Sequence, residues 1–255
     1  ILKNWRYFFV MSNGTANNLS LNITLNRSST DNQLFPRTGS EFTASLSITP
    51  PWSKFDKKDY KHLANDRFSA TYQQEQQEKY RWVEYHKWKF KARTFTALSN
   101  GNKCFVLMTR VEFGLLGSYN KYKKSPFETF YMGGDGMSGY SSNYAQETIG
   151  LRGYDNGQLT QHGEGYAYDR MTLELRYPLL LGNTTIYGLG FLEAGNAWTE
   201  TSKFNPFDMK RSAGIGVRIY LPMVGLMGID WAYGFDKVFG KKGGSQFHFI
   251  LGQEF

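Results

Sequence analysis

Apolar and polar residues alternate along most of this chain with a period of two, the mark of strands whose two faces meet different surroundings. Between positions 227 and 235, Met227, Ile229, Trp231, Tyr233 and Phe235 alternate with Gly228, Asp230, Ala232 and Gly234. The stretch before it sets Ala213, Ile215, Val217, Ile219 and Leu221 against Gly214, Gly216, Arg218 and Tyr220. Met171, Leu173, Leu175 and Tyr177 oppose Arg170, Thr172, Glu174 and Arg176. Upstream, Phe105, Leu107, Val111 and Phe113 oppose Cys104, Met108, Arg110 and Glu112, and Trp88, Phe90 and Ala92 oppose Lys87, Lys89, Lys91 and Arg93. Two earlier segments, around Phe42, Ala44, Leu46 and Ile48 and around Leu21, Ile23 and Leu25, repeat the arrangement. Helical periodicity is nearly absent. The pattern predicts an all-β chain of about nine strands.

Short connections at 100–103, 178–183 and 222–225 alternate with long ones at 51–78, 133–166 and 199–210. A soluble sandwich also alternates, but its polar face meets water and its apolar face is a shared core. Here glycines and charges of a kind suited to an interior recur on the polar face of strand after strand. That inversion, with short turns at one end and long loops at the other, predicts a transmembrane antiparallel β-barrel: apolar to lipid, polar to a lumen. An open sheet of about nine strands would leave two unpaired edges in hydrocarbon, so the chain is expected to be the C-terminal portion of a larger barrel of even strand number. The absence of a Met at Ile1 fits a piece of a longer precursor.

Composition narrows the picture further. Mean hydropathy is −0.51 and no stretch approaches 18 consecutive apolar residues, so no transmembrane helix is available. The lone Cys104 excludes an intramolecular disulfide. A net charge of +8 invites an anionic partner, but Lys57, Lys58, Lys121, Lys123, Lys124, Lys241 and Lys242 sit in turn-like stretches rather than in a nucleic-acid-reading cluster. No nucleic acid is expected; anionic lipid headgroups are the alternative to plain solvated loops. The row Lys87, Lys89, Lys91 and Arg93 is either a lumen-facing basic stripe or the wet extension of a long hairpin. His62, His86, His162 and His248 are dispersed, with no nucleophile beside them and no metal-ligand spacing. Neither an enzyme nor a cofactor or metal site is expected.

Two segments carry function. The last strand, residues 245–255, puts Phe247, Phe249, Leu251 and the terminal Phe255 on one face. The long loop after Ser118 contains Phe130-Tyr131-Met132-Gly133-Gly134 and then Leu151-Arg152-Gly153-Tyr154, with glycines at 133, 134, 136, 150 and 153 that would let it reverse into the bore. Composition alone favours a merely flexible outer loop. The loop motif, together with Leu34-Phe35-Pro36-Arg37-Thr38-Gly39, Leu173-Glu174-Leu175-Arg176-Tyr177-Pro178, Phe191-Leu192-Glu193-Ala194-Gly195-Asn196-Ala197-Trp198, Arg211-Ser212-Ala213-Gly214-Ile215-Gly216 and Gln246-Phe247-His248-Phe249, resembles the Omp85 superfamily, in order over residues 34–255. Within it, the chain is most similar to the branch that assembles outer-membrane barrels.

The resemblance implies the rest. It makes the chain part of a barrel of about 16 strands, with the N-terminal strands and periplasmic POTRA domains outside these residues. It implies that Arg152 turns inward to meet Glu174 and Glu193 with Phe191 beneath its guanidinium. The alternative for either glutamate is pairing with Arg170, Arg176 or Arg218 on the wall. For Glu193 to face inward, its strand must also point Tyr187, Leu189 and Phe191 inward, or bulge near Gly190. Residues 137–148 stand as an insertion relative to the shorter loops of that family. The resemblance further implies insertion of β-barrel clients into the bacterial outer membrane through a seam bounded by the last strand, with Phe247, Phe249, Leu251 and Phe255 as its targeting signal and Gly252 as either a weak point or a packing glycine. The partners implied are outer-membrane lipid including lipopolysaccharide, unfolded barrel clients, and lipoproteins of an assembly complex. A polypeptide exporter of the same superfamily or a passive pore are the rival readings.

Overall fold

In the computed structural model the described residues are 15–66, 68–101, 103–136, 147–160, 164–223 and 225–251. Gly252, Phe255 and most of the 137–148 insertion therefore lie outside them. In chain order the strands are β1 (Leu21–Ser28), β2 (Gly39–Ile48), β3 (His86–Ala97), β4 (Val106–Gly117), β5 (Phe130–Met132), β6 (Glu147–Ile149), β7 (Ala167–Leu180), β8 (Thr185–Trp198), β9 (Lys210–Leu221), β10 (Gly225–Gly234), β11 (Lys237–Val238), β12 (Lys241–Lys242) and β13 (Ser245–Leu251). Nine of them form one antiparallel meander, β1-β2-β3-β4-β7-β8-β9-β10-β13, and the remaining four make two small pairs inside loops. Among the described residues β1 and β13 are the two ends of that order, each bonded along one edge only.

The alternation sets which way each face points. Along β10, Ile229 and Trp231 are 51% and 40% exposed whereas Asp230 and Ala232 are fully buried. The same inversion holds on β7, where Met171, Leu173 and Leu175 are exposed while Arg170, Thr172, Glu174 and Arg176 are buried, and on β13, where Phe247, Phe249 and Leu251 are exposed while His248 and Ile250 are buried. No second sheet covers the outward apolar faces among the described residues. An antiparallel sheet in water would arrange itself the other way, so this outer surface suits acyl chains. A charge at its middle tests the orientation. Leu173→Arg is expected to lower barrel stability by about 2–4 kcal/mol, read as an earlier urea midpoint in vesicles; on a solvated face the change would be near zero.

On β8, Tyr187, Leu189, Phe191 and Glu193 all point inward, and the register with β7 runs unbroken past Gly190. The strand thus turns apolar rings into the bore rather than bulging at Gly190. The register shift in this pair lies instead between Pro178 and Leu180, where proline removes a ladder donor. These rings join Phe35, Phe95, Cys104, Val106, Met108 and Ala232 in one interior cluster. Phe35 comes from the β1–β2 turn and packs against Tyr187 at 5.3 Å between centroids. A second cluster gathers the loop residues Phe130, Met132, Leu151, Tyr154 and Leu159 with Leu116 and Tyr168 of the wall.

The β2–β3 connection contains two helices, α1 (Trp52–Phe55) and α2 (Tyr72–Tyr80), although periodicity indicated none. The second has the sequence YQQEQQEKY, whose Gln, Glu and Lys favour helix by propensity while leaving no apolar stripe to betray it.

Candidate functional site

The loop between β4 and β7 builds a small fold of its own. β5 and β6 pair in parallel, Gly133 N donates to Ile149 O at 2.9 Å, and Gly134 and Leu151 exchange backbone bonds at 3.1 Å. Gly133, Gly134, Gly136 and Gly153 have positive φ; Gly150 is not among such residues. Two reversals result, and they carry Leu151, Arg152, Gly153 and Tyr154 into the bore, where all four are buried.

Arg152 lies against the inner wall. Its Nη2 donates to Glu174 Oε1 and to Glu193 Oε1, both at 2.8 Å, its Nη1 donates to Asp230 Oδ2 at 2.8 Å, and its backbone N–H reaches Glu193 Oε2 at 3.0 Å. The Phe191 ring centroid is 3.4 Å from the guanidinium carbon. A permanently charged planar fork is the side chain that can serve three carboxylates and an aromatic face together; a lysine ammonium could not. Asp230 was not singled out by sequence, although its inward parity on β10 was visible there.

Both pairings considered for the glutamates occur at once. Arg176 Nε donates to Glu174 Oε2 at 2.9 Å and Arg170 Nη2 to Glu193 Oε1 at 2.8 Å. Arg218 clamps Asp230 through two bonds of 2.6 and 2.8 Å. Each carboxylate that meets Arg152 therefore already has an arginine of the wall, and the loop adds a fourth guanidinium to three anions. None of these three carboxylates waits unpaired for the loop, so its seat does not depend on filling a charge vacancy.

The flanking residues fasten the turn. Tyr154 Oη donates to Arg211 O at 2.7 Å, and burial pushes its hydroxyl up to about 12, so it remains a donor at ordinary pH. Gly153 N–H donates to His248 Nε2 at 2.9 Å, a contact that sequence reading also missed. Gly153 has φ +87°, and a Cβ there would lie 2.7 Å from Gly234 N of β10. Gly153→Ala is accordingly expected to cost at least about 1–2 kcal/mol from backbone conformation alone. Limited proteolysis should then cut the loop in intact membranes, where the native loop resists.

The loop stem is held on the opposite wall by the basic row of β3. Lys87 pairs with Glu147 at 2.9 Å and Glu128 at 3.6 Å, and Lys89 with Glu147 at 3.0 Å. Lys91 meets Glu112 at 3.1 Å. The stripe is thus lumen-facing, and its charges are matched by acids of the loop, of β4 and, for Arg93, by Glu41 of β2. A cavity of about 240 Å³ remains between the loop and the wall, with Lys89, Lys91, Glu112, Glu147 and Arg170 among its lining. Phe247, Phe249 and Leu251 face outward on β13, away from the clasp. Among the described residues no cluster of His, Cys, Asp and Glu is arranged to hold a metal ion.

An inside-out meander with a loop arginine clasped in its bore can be set beside known proteins. No curated protein matches the chain. The crystal structure of BamA from Haemophilus ducreyi lacking POTRA domains 1–3 is similar in fold, with a TM-score of 0.60 at 18% sequence identity over 90% of this chain and 41% of that one. This chain accordingly spans well under half the length of that relative. The Omp85 superfamily domain matches residues 2–255, the whole of the meander and its loop included, and the chain belongs to the Omp85 superfamily, a family of outer-membrane β-barrels.

Proposed function

We propose that this chain is the C-terminal portion of the barrel of an insertase that folds β-barrel proteins into the bacterial outer membrane, with the N-terminal strands and periplasmic POTRA domains supplied by residues outside it. The observation that carries the reading is the burial of Arg152 among Glu174, Glu193 and Asp230, which seats a folded loop against the inner wall beside the last strand, β13. A filled bore suits a barrel that works at its edge better than one that conducts. An exposed strand edge offers a row of backbone donors and acceptors to an incoming strand, and pairing there needs no covalent chemistry. The partners of this reading are membrane lipid including lipopolysaccharide, unfolded barrel clients that pair at β13, and accessory lipoproteins. No cofactor and no nucleic acid enters.

The test is reconstitution of the full-length protein into lipid vesicles, followed by addition of an unfolded barrel client. Client folding is expected to accelerate at least about tenfold, equivalent to roughly 1.4 kcal/mol of barrier, with little ion conductance. Steady conductance without acceleration would favour a passive pore. Transfer of an unfolded polypeptide into the vesicle interior would favour an exporter.

A further inference from the structure

β13 is bonded along one edge to β10, with Asp230 directly opposite His248. Its other edge has no partner among the described residues. Its outward residues Phe247, Phe249 and Leu251 face away from the bore and cannot be gripped from within. The inward ones can. Gly153 N–H donates to His248 Nε2 at 2.9 Å, Gln246 Nε2 donates to Asp155 Oδ1 at 2.7 Å, and Gly244 N–H, just before β13, donates to Gly153 O at 3.4 Å.

The spacing of these contacts is specific. Arg152 and Gly153 are consecutive, and they bond Asp230 and His248, which are cross-strand neighbours on β10 and β13. The loop thus staples the last two strands together on their lumen side. His248 is buried, and an Nε2 that accepts from a backbone N–H belongs to a neutral ring carrying its proton on Nδ1. A buried amide that lost this acceptor would be left unsatisfied, so the contact is costly to break without replacement.

We propose that His248 is a positioning residue that couples the Arg-Gly-Tyr loop to β13, so that the seating of the loop sets the position of the strand offered to a client. The inference rests on the insertase reading for its functional meaning, whereas the coupling itself is a property of the barrel. Movement of the loop away from the acidic wall would withdraw the lumen-side support of β13, leaving only its backbone ladders to hold it.

The test uses the full-length protein in vesicles with His248→Leu, which keeps bulk and removes the acceptor, and His248→Gln, whose Oε1 can accept from Gly153. Deuterium exchange of backbone amides is read over residues 245–251, with β3 and β4 as the control for folding. His248→Leu is expected to raise exchange in 245–251 by about tenfold, and His248→Gln to return it to within about threefold of the native rate. If the Leu variant does not assemble, His248→Asn, whose arm is too short to reach Gly153, takes its place in the comparison with Gln. Native-like exchange without the acceptor, or an equal rise in both variants, would overturn the proposal. Client folding on the same samples separates the two claims. A loosened β13 with undiminished client folding leaves the coupling standing and shows that it does not govern client folding, whereas no client folding by the native protein removes the insertase reading. Folding abolished by Arg152→Ala while His248→Leu leaves exchange unchanged removes the coupling and leaves that reading intact.

Discussion

Asp230→Asn is expected to be the most damaging single change in the bore, at about 3–5 kcal/mol of barrel stability, because it strands the buried Arg218 guanidinium and takes one of three carboxylates from Arg152. Asp230 receives Arg152 through one oxygen and Arg218 through both, and all three side chains are buried. Arg152, Arg170, Arg176 and Arg218 share Glu174, Glu193 and Asp230, with Arg170 also near Glu112. Removing Asp230 leaves Arg218 without the carboxylate that clamps it. An arginine cannot relieve this by losing its proton. The urea midpoint of the reconstituted protein measures the cost, and a shift corresponding to less than about 1 kcal/mol would be the size of an exposed pair, not a buried one.

Arg152→Ala is expected to behave differently, with a modest loss of stability and a severe loss of activity. Each carboxylate keeps its wall arginine, so the change strands none of them. What disappears are the charge-assisted bonds and the stacking on Phe191, together about 1–3 kcal/mol. The loop, no longer clasped, is expected to leave the wall, and client folding in vesicles is expected to fall by at least about tenfold, since the last strand loses its brace. Arg152→Lys should recover little, because an ammonium cannot reproduce the forked contacts or the flat stacking. Undiminished client folding by a protein with a demonstrably detached loop would separate the clasp from the activity.

Most of the fold was legible because lipid enforces the alternation. A strand with hydrocarbon on one side and a crowded bore on the other tolerates few exceptions, and the parity of β4, β7, β9, β10 and β13 could be read directly from residues such as Asp230 between Ile229 and Trp231. β8 was ambiguous because its inward face is itself apolar at Tyr187, Leu189 and Phe191; packing inside the bore, not contact with water, decides such a face. The outer-loop helix α2 carries no apolar stripe, so periodicity is blind to it. The basic row of β3 could not be placed from sequence because its partners, Glu128 and Glu147, lie in a distant loop.

The site was legible in part for a related reason. Inward parity marks Asp230 and His248, but parity does not say which inward groups meet a loop that enters from elsewhere. Those contacts span 78 and 95 positions in sequence, and the curl of the sheet brings them together. The arginines of the wall were visible as rivals for the glutamates; that both pairings form together follows from a carboxylate having two oxygens and several lone pairs to share.

The loop arginine and the acidic wall form one electrostatic unit inside a lipid-facing barrel. A double-mutant cycle between Arg152→Ala and Asp230→Asn, followed by urea unfolding in vesicles, measures it most directly. Because Arg152 and Asp230 bond directly, removing both should cost about 1–3 kcal/mol less than the sum of the single changes. Strictly additive losses would mean that the two side chains do not meet in the folded protein, and the account would be wrong at its centre.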